Sequence, residues 1–259
     1  MIRLYKIKAM LYRDVRTLVR SKERLIDFLF FPVTNTLLWG LFAIYMGATS
    51  PETAMMLLMI NIFWAFTYLS QSSANLQINM DVWSSSLNQL LISGINEIEY
   101  LIARFLYSGA ASALIMILMG WMVGQFGLVL PPVHKLAYLV FVTYLASVVL
   151  GTLVVSLYVM LGKSYAFLSW SVMQLIIMLS APFFPIDIYP RIIQKISKAL
   201  PHTWLFESLR EFIRSGTLNM GLVNKSLFLS VIYLILVIPF YLYVFKKSRK
   251  NGALVRLGF

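Results

Sequence analysis

The side chains able to do acid–base or nucleophilic chemistry are few. The only histidines are His134 and His202, and the only acids grouped near one of them are Asp187, Glu207 and Glu211. Such a grouping could serve a membrane-embedded enzyme acting on lipid or sugar headgroups by general acid–base catalysis. Neither histidine belongs to an HExxH-like pair, and a lone histidine there equally suits an interfacial polar group. Cysteine is absent, which excludes a thiol nucleophile, a Cys-based metal site and a disulfide framework. No GxSxG occurs. Gly162, Lys163 and Ser164 imitate the end of a phosphate-binding loop, but the first glycine of that motif would fall at Leu157, inside an apolar run. No catalytic residue, metal ligand or cofactor-binding residue is therefore assigned, and no ATP hydrolysis by this chain is expected.

The elements that carry these residues are apolar. The chain is 60% hydrophobic and 12% charged over 259 residues, with a mean hydropathy of +0.80. Soluble domains average about 45–50% apolar and about 25% charged, so a polytopic membrane protein is expected. The formal net charge of +12 sits mainly in the two tails. Anionic lipid headgroups account for that excess, and no nucleic-acid partner is expected.

Six runs approach the roughly 20 residues a helix needs to cross about 30 Å of hydrocarbon: 28–47, 54–73, 100–124, 136–161, 165–184 and 226–245. The first begins after a charged segment and is long enough to span, so no cleavable signal peptide is expected. An even number of spans puts both tails on one side. Their Lys and Arg residues place them in the cytoplasm, with the chain in the plasma membrane. The connection between the last two runs opposes this, because it also carries Arg191, Lys195, Lys198, Arg210, Arg214 and Lys225.

Leu4, Ile7, Leu11, Val15 and Leu18 form a stripe on a basic N-terminal helix, which should lie on the lipid surface. The expected fold is an all-α integral membrane protein. It has six transmembrane helices, an N-terminal amphipathic interface helix, and outer re-entrant or amphipathic helices between spans five and six. It divides into residues 1–27 (interface helix), 28–245 (membrane domain) and 246–259 (basic cytoplasmic tail).

Within the runs, Arg104 is expected to snorkel to the interface from one end of its span. Gly120 and Gly124 form a GxxxG that could be a close packing face. Uncharged polar and aromatic groups are more frequent: Asn35 and Trp39, then Asn61, Trp64 and Tyr68, then Trp170 and Gln174. They could line a path for an amphiphile, or equally form interhelical hydrogen bonds.

Residues 81–99 read DVWSSSLNQLLISGINEIE. Trp83, Leu87, Leu90 and Leu91 recur at helical spacing, Ser84–Ser86 offer N-caps, and Gly94 can end the helix. With no Lys or Arg, this short helix suits docking on a protein rather than on lipid.

This pattern resembles the membrane subunits of ABC-2 type transporters, or type V exporters. The matching parts are the basic N-terminal helix, the six spans, LNQLLISGINEIEYLIARFL between spans two and three, and FFPIDIYPRIIQKISKALPHTWLFESLREFI before the last span. The latter contains a P-x-x-W/Y-x-x-E-x-x-R-like run at Pro201, Trp204, Glu207 or Ser208, and Arg210. The resemblance implies a homodimer or pseudo-dimer of permeases, each above a separate ABC ATPase subunit that binds ATP and Mg. It implies that Leu87, Asn88, Gln89, Leu90, Leu91, Ser93 and Gly94 form the coupling helix. It also implies that spans one, two and five surround the path, and that the substrate is an amphiphile such as a drug, lipid or lipid-linked glycan.

Ala181 to Gly216 then falls at the outer end of span five. Pro182, Pro185 and Pro190 break any continuing helix there. A chain that turns back at membrane depth must lie against protein or a water-lined cavity. Phe183, Phe184 and Ile186 are the expected apolar plug of an outer gate.

Overall fold

The computed structural model describes residues 3–47, 50–125 and 131–251. The short turns expected between the first two runs (49–53) and between the third and fourth (125–135), and the basic tail, lie partly outside the described residues. Secondary structure among the described residues is helical, in chain order α1 (Leu4–Arg20), α2 (Lys22–Gly47), α3 (Pro51–Trp83), α4 (Ser86–Ile92), α5 (Glu97–Gly124), α6 (Val133–Leu161), α7 (Leu168–Leu179), α8 (Arg191–Ala199), α9 (Pro201–Ser215) and α10 (Met220–Lys250).

Local chemistry sets the boundaries. Ser21 is extended and separates α1 from α2, so the charged residues at 22–27 start the second helix instead of ending the first. Pro51 opens α3, where its missing N–H costs nothing. Asn96 and Glu99 make a reciprocal capping box at the start of α5. Gly94, Gly162 and Gly216 take positive φ at the ends of α4, α6 and α9, the backbone region glycine enters without strain.

By length and composition, α3, α5, α6 and α10 can cross a membrane. Two elements depart from expectation. The helix of the second apolar run continues without a break past Ser73 to Trp83, so α3 is 33 residues long and Trp83 belongs to it rather than to the short helix that follows. The fifth run gives only a 12-residue α7, about 18 Å long, because Ala181 adopts φ 49° and Pro182 follows.

The long α3 is the centre of the bundle and packs on α2, α5, α6, α7 and α9. Asp81 near one end of α3 and Glu52 at the other are about 44 Å apart along the axis. These define an α4 end and an α9 end. At the α4 end the core gathers Ile7, Ile78, Leu87, Tyr100, Tyr158 and Tyr241. At the α9 end it gathers Phe63, Met119, Leu139, Leu209, Phe212 and Val223. The α6 helix packs along α10, whose outward residues Phe228, Ile235 and Leu236 are exposed apolar groups, as expected for a surface solvated by lipid tails.

Close approach occurs at Gly151 and Gly109, where an added Cβ would lie 2.8 Å from the Phe105 ring and 2.9 Å from Tyr144. Gly120 and Gly124 have no neighbour at that position within 4 Å. Among the described residues, the GxxxG line is therefore not a packing face.

Candidate functional site

At the α9 end, the premature stop of α7 leaves carbonyls that must find donors. Tyr189 donates its hydroxyl to the Met178 carbonyl, and Ser197 donates to the Leu179 carbonyl at 2.6 Å. Three carbonyls of the non-helical segment that follows converge on one guanidinium. Arg210 Nη1 donates to the carbonyls of Ala181 at 2.9 Å, Pro182 at 3.0 Å and Phe184 at 2.8 Å. Its Nη2 lies 2.9 Å from Glu207 Oε1, one turn earlier on α9. Arg210 is 2% exposed, so these bonds form in a low-dielectric setting where charge-assisted donors are strong.

The segment so held aims one ring inward. Phe183 stacks on Trp39 of α2 (centroids 5.9 Å apart, planes 14° apart) and meets Trp64 of α3 edge-on at 5.6 Å. Phe184 diverges from it and packs edge-on against Tyr189 at 5.1 Å, while Ile186 is buried. The two phenylalanines thus do different things, and Phe183 alone closes onto the aromatic groups of α2 and α3.

The neighbouring polar groups follow. Asn35 Nδ2 approaches Asn61 Oδ1 at 3.4 Å, linking α2 to α3. Trp64 and Tyr68 pack against Leu150, Met173 and Ile177 between α6 and α7. Gln174 lies on the uncovered face of α7 with Ser171, Leu175 and Met178. The fold therefore brings Asn35, Trp39, Asn61, Trp64, Tyr68 and Phe183 together and leaves Gln174 facing outward. The side chains of Trp170, Asn88 and Leu91 lie outside the described residues.

At the α4 end, the short α4 is fixed by its own apolar side. Leu87 is buried, and Leu90 packs on the same core. Gln89, Ser93 and Gly94 are exposed, and Ile92 is 86% exposed. The corner after α4 is braced by α1. Lys6 Nζ donates to the Gly94 carbonyl at 2.6 Å and to Ser93 at 3.1 Å, and Arg3 Nη2 donates to Gly94 at 2.7 Å. The Arg3 backbone N–H also donates to the buried Glu99 carboxylate at 2.7 Å.

Beneath this corner lies a charge cluster. Arg104, fully buried, places Nη1 2.5 Å from Asp14 of α1 and Nη2 2.7 Å from Asp81 of α3. Arg13 bridges the same two acids at 2.9 and 3.0 Å, and the Tyr100 hydroxyl donates to Asp81 at 2.8 Å. Arg104 does not snorkel. Two carboxylates and a tyrosine ring 4.9 Å away replace water around it, which a bare lipid interface could not do. A signal for this pairing was present in the sequence. Asp14 interrupts the apolar stripe between Leu11 and Leu18, and a carboxylate on that side needs a cation to face.

The expected N-terminal stripe divides accordingly. Ile7 and Met10 are buried with Asp14, whereas Leu4 and Val15 are exposed. The helix packs on α5 through part of the face expected to meet lipid.

The acids and histidine that suggested an enzyme have different surroundings. Glu207 pairs with Arg210, Glu211 accepts from Asn219 at 2.8 Å, and Asp187 is exposed. His202 is buried with neither ring nitrogen hydrogen-bonded among the described residues, and burial lowers its pKa from the ordinary value to about 4. No group of three or more potential metal ligands occurs among the described residues.

A search of curated proteins found no match. A family model described as ABC-2 type transporter matches residues 5–213, a span that includes the α1 brace, the α4 corner, the charge cluster and the Arg210–Phe183 segment. This multi-pass membrane protein belongs to the ABC-2 type transporter family and is a permease component of an ABC transporter.

Proposed function

We propose that the chain is the permease half of an ATP-driven exporter that moves an amphiphile (a drug, lipid or lipid-linked glycan) and works as a homodimer with a separate ABC ATPase subunit. The observation that carries this is the α4 corner. A seven-residue helix turns its Leu87 side to the core, leaves Gln89 and Ile92 uncovered, and is braced by Lys6 of α1 and by Arg3 just before it. A rigid, uncovered knob of this kind suits a groove on a partner and can pass on a rigid-body movement.

In the proposed topology α2, α3, α5, α6, α7 and α10 are the six spans, with α7 completed by the non-helical segment that follows it. The α4 end and both termini face the cytoplasm. The α9 end faces outward, where α8 and α9 lie at the headgroups of the plasma membrane. Residues 1–27 remain the interface segment, with 28–245 as the membrane domain and 246–259 as the basic tail. ATP and Mg would bind on the partner, and no resident cofactor is assigned to this chain.

The path would run beside Asn35, Trp39, Asn61, Trp64, Tyr68, Trp170 and Gln174. Its rings and uncharged amides suit a substrate with both apolar and hydroxyl or amide surface. Phe183 would be the outer gate, with Phe184 and Ile186 supporting it.

The test is a native pull-down from the source membrane, followed by ATPase measurement with candidate lipids, drugs and glycans. Recovery of a nucleotide-binding subunit whose turnover rises with one class is the expected result. A chain recovered without any such subunit would contradict the proposal.

A further inference from the structure

The outer segment raises the question of what holds a gating ring in place when its backbone is not helical. Arg210 answers the carbonyls of residues 181, 182 and 184, on both sides of Phe183, from a single nitrogen at 2.8–3.0 Å. Nothing else on α9 donates to those three carbonyls, and the fixed cation sits at the C-terminal end of α7, where the helix dipole is negative. Glu207 orients the same guanidinium from the adjacent turn. Ala181 is held at φ 49°, a backbone state that an L-residue keeps only when its surroundings impose it.

We propose that Arg210 is the positioning residue of the outer gate. By gripping the carbonyls around Phe183 it fixes that ring between Trp39 and Trp64, and release of this grip opens the α9 end of the path. The inference rests on the gate assigned above to Phe183. It makes α9, rather than α7 alone, the element that decides whether the gate is shut. A movement of α9 by the length of a hydrogen bond would free three carbonyls together, so opening is expected to be concerted.

The chain contains no cysteine, which permits a clean test in the assembled complex. Tyr68→Cys places one thiol on α3 one turn beyond Trp64 towards the α4 end, behind the Phe183 ring. A membrane-impermeant thiol reagent is then applied from the outer side, and the labelling rate is compared in four backgrounds: none, Phe183→Ala, Arg210→Met and Arg210→Lys. Arg210→Met is expected to label about tenfold faster or more than Tyr68→Cys alone, as when a minor open state becomes the major one. Arg210→Lys keeps a cation with three donors and should partly restore slow labelling.

Fast labelling in Phe183→Ala with unchanged rates in both Arg210 variants overturns the Arg210 assignment and leaves the gate standing. Unchanged labelling in Phe183→Ala overturns the gate itself. A residue that merely supports the fold would lower the melting temperature without raising the labelling rate. Should Arg210→Met fail to reach the membrane, Glu207→Gln takes its place with the same expected direction, and no change in either Glu207→Gln or Arg210→Lys overturns the proposal.

Discussion

Arg104 and Asp14 are joined by a 2.5 Å contact between Nη1 and Oδ2 although the whole of α2, α3 and α4 separates them in sequence. The pair locks α5 to α1, and Asp81 extends the lock to α3. Taking charges out of water is expensive, and this cluster is tolerable because the two cations Arg13 and Arg104 face the two carboxylates Asp14 and Asp81. Arg104→Met or Asp14→Asn is expected to cost about 3 kcal/mol, since each leaves the buried cluster one charge out of balance. The double variant should cost less than the sum of the single ones, with a coupling of about 0.5–3 kcal/mol. Unfolding of purified protein in detergent or nanodiscs provides the measurement. Strict additivity would show that the two groups do not act as a pair.

Close packing at Gly151 is a separate determinant of stability. Gly151→Ala should destabilise by about 1–3 kcal/mol through overpacking, because the new methyl meets the Phe105 ring at 2.8 Å. Gly120→Ala, with open space around its Cβ, should stay within about 0.5 kcal/mol of the parent. Phe105→Leu should relieve the first and leave the second unchanged. Melting temperatures of the three variants decide it.

His202 predicts a pH dependence. Its pKa in the folded chain is lowered to about 4 from an ordinary 6.5, so the unfolded state takes up the proton first on acidification. Its contribution is therefore fully present above about pH 6.5 and is lost as pH falls towards about 4. Thermal unfolding measured across that window should show a falling melting temperature. His202→Phe should flatten this component. An equal pH slope in parent and variant would assign the effect to other groups.

The two sides of α4 should behave oppositely. Ile92→Asp changes an exposed residue and is expected to weaken recovery of the ATPase subunit about tenfold or more, as loss of a central apolar contact does, with membrane insertion intact. Leu87→Asp buries a charge in the core and should reduce the amount of folded permease itself. Co-purification yields normalised to permease separate the two. Full association with Ile92→Asp would remove α4 from the interface.

The sequence by itself determined the helical membrane class, the C-terminal ends of α2, α5 and α6 and the short helix after α3. Hydrophobic run length, proline, glycine and the Asn96–Glu99 cap are local signals, and they act through backbone chemistry that needs no distant partner. It also singled out Trp39, Trp64 and Phe183, but as separate residues of an aromatic-rich chain. Only the tertiary structure decided that Phe183 meets those two rings while Phe184 turns away, because a backbone with positive φ at Ala181 aims side chains in directions no periodicity describes.

The same holds for charge. Arg104 read as a snorkelling end group and Arg210 as one basic residue of an amphipathic helix. Burial made them a three-helix lock and a grip on three carbonyls. In low dielectric a charge is worth what its partners make it, and those partners lie on other helices, brought within hydrogen-bond range only when the bundle closes.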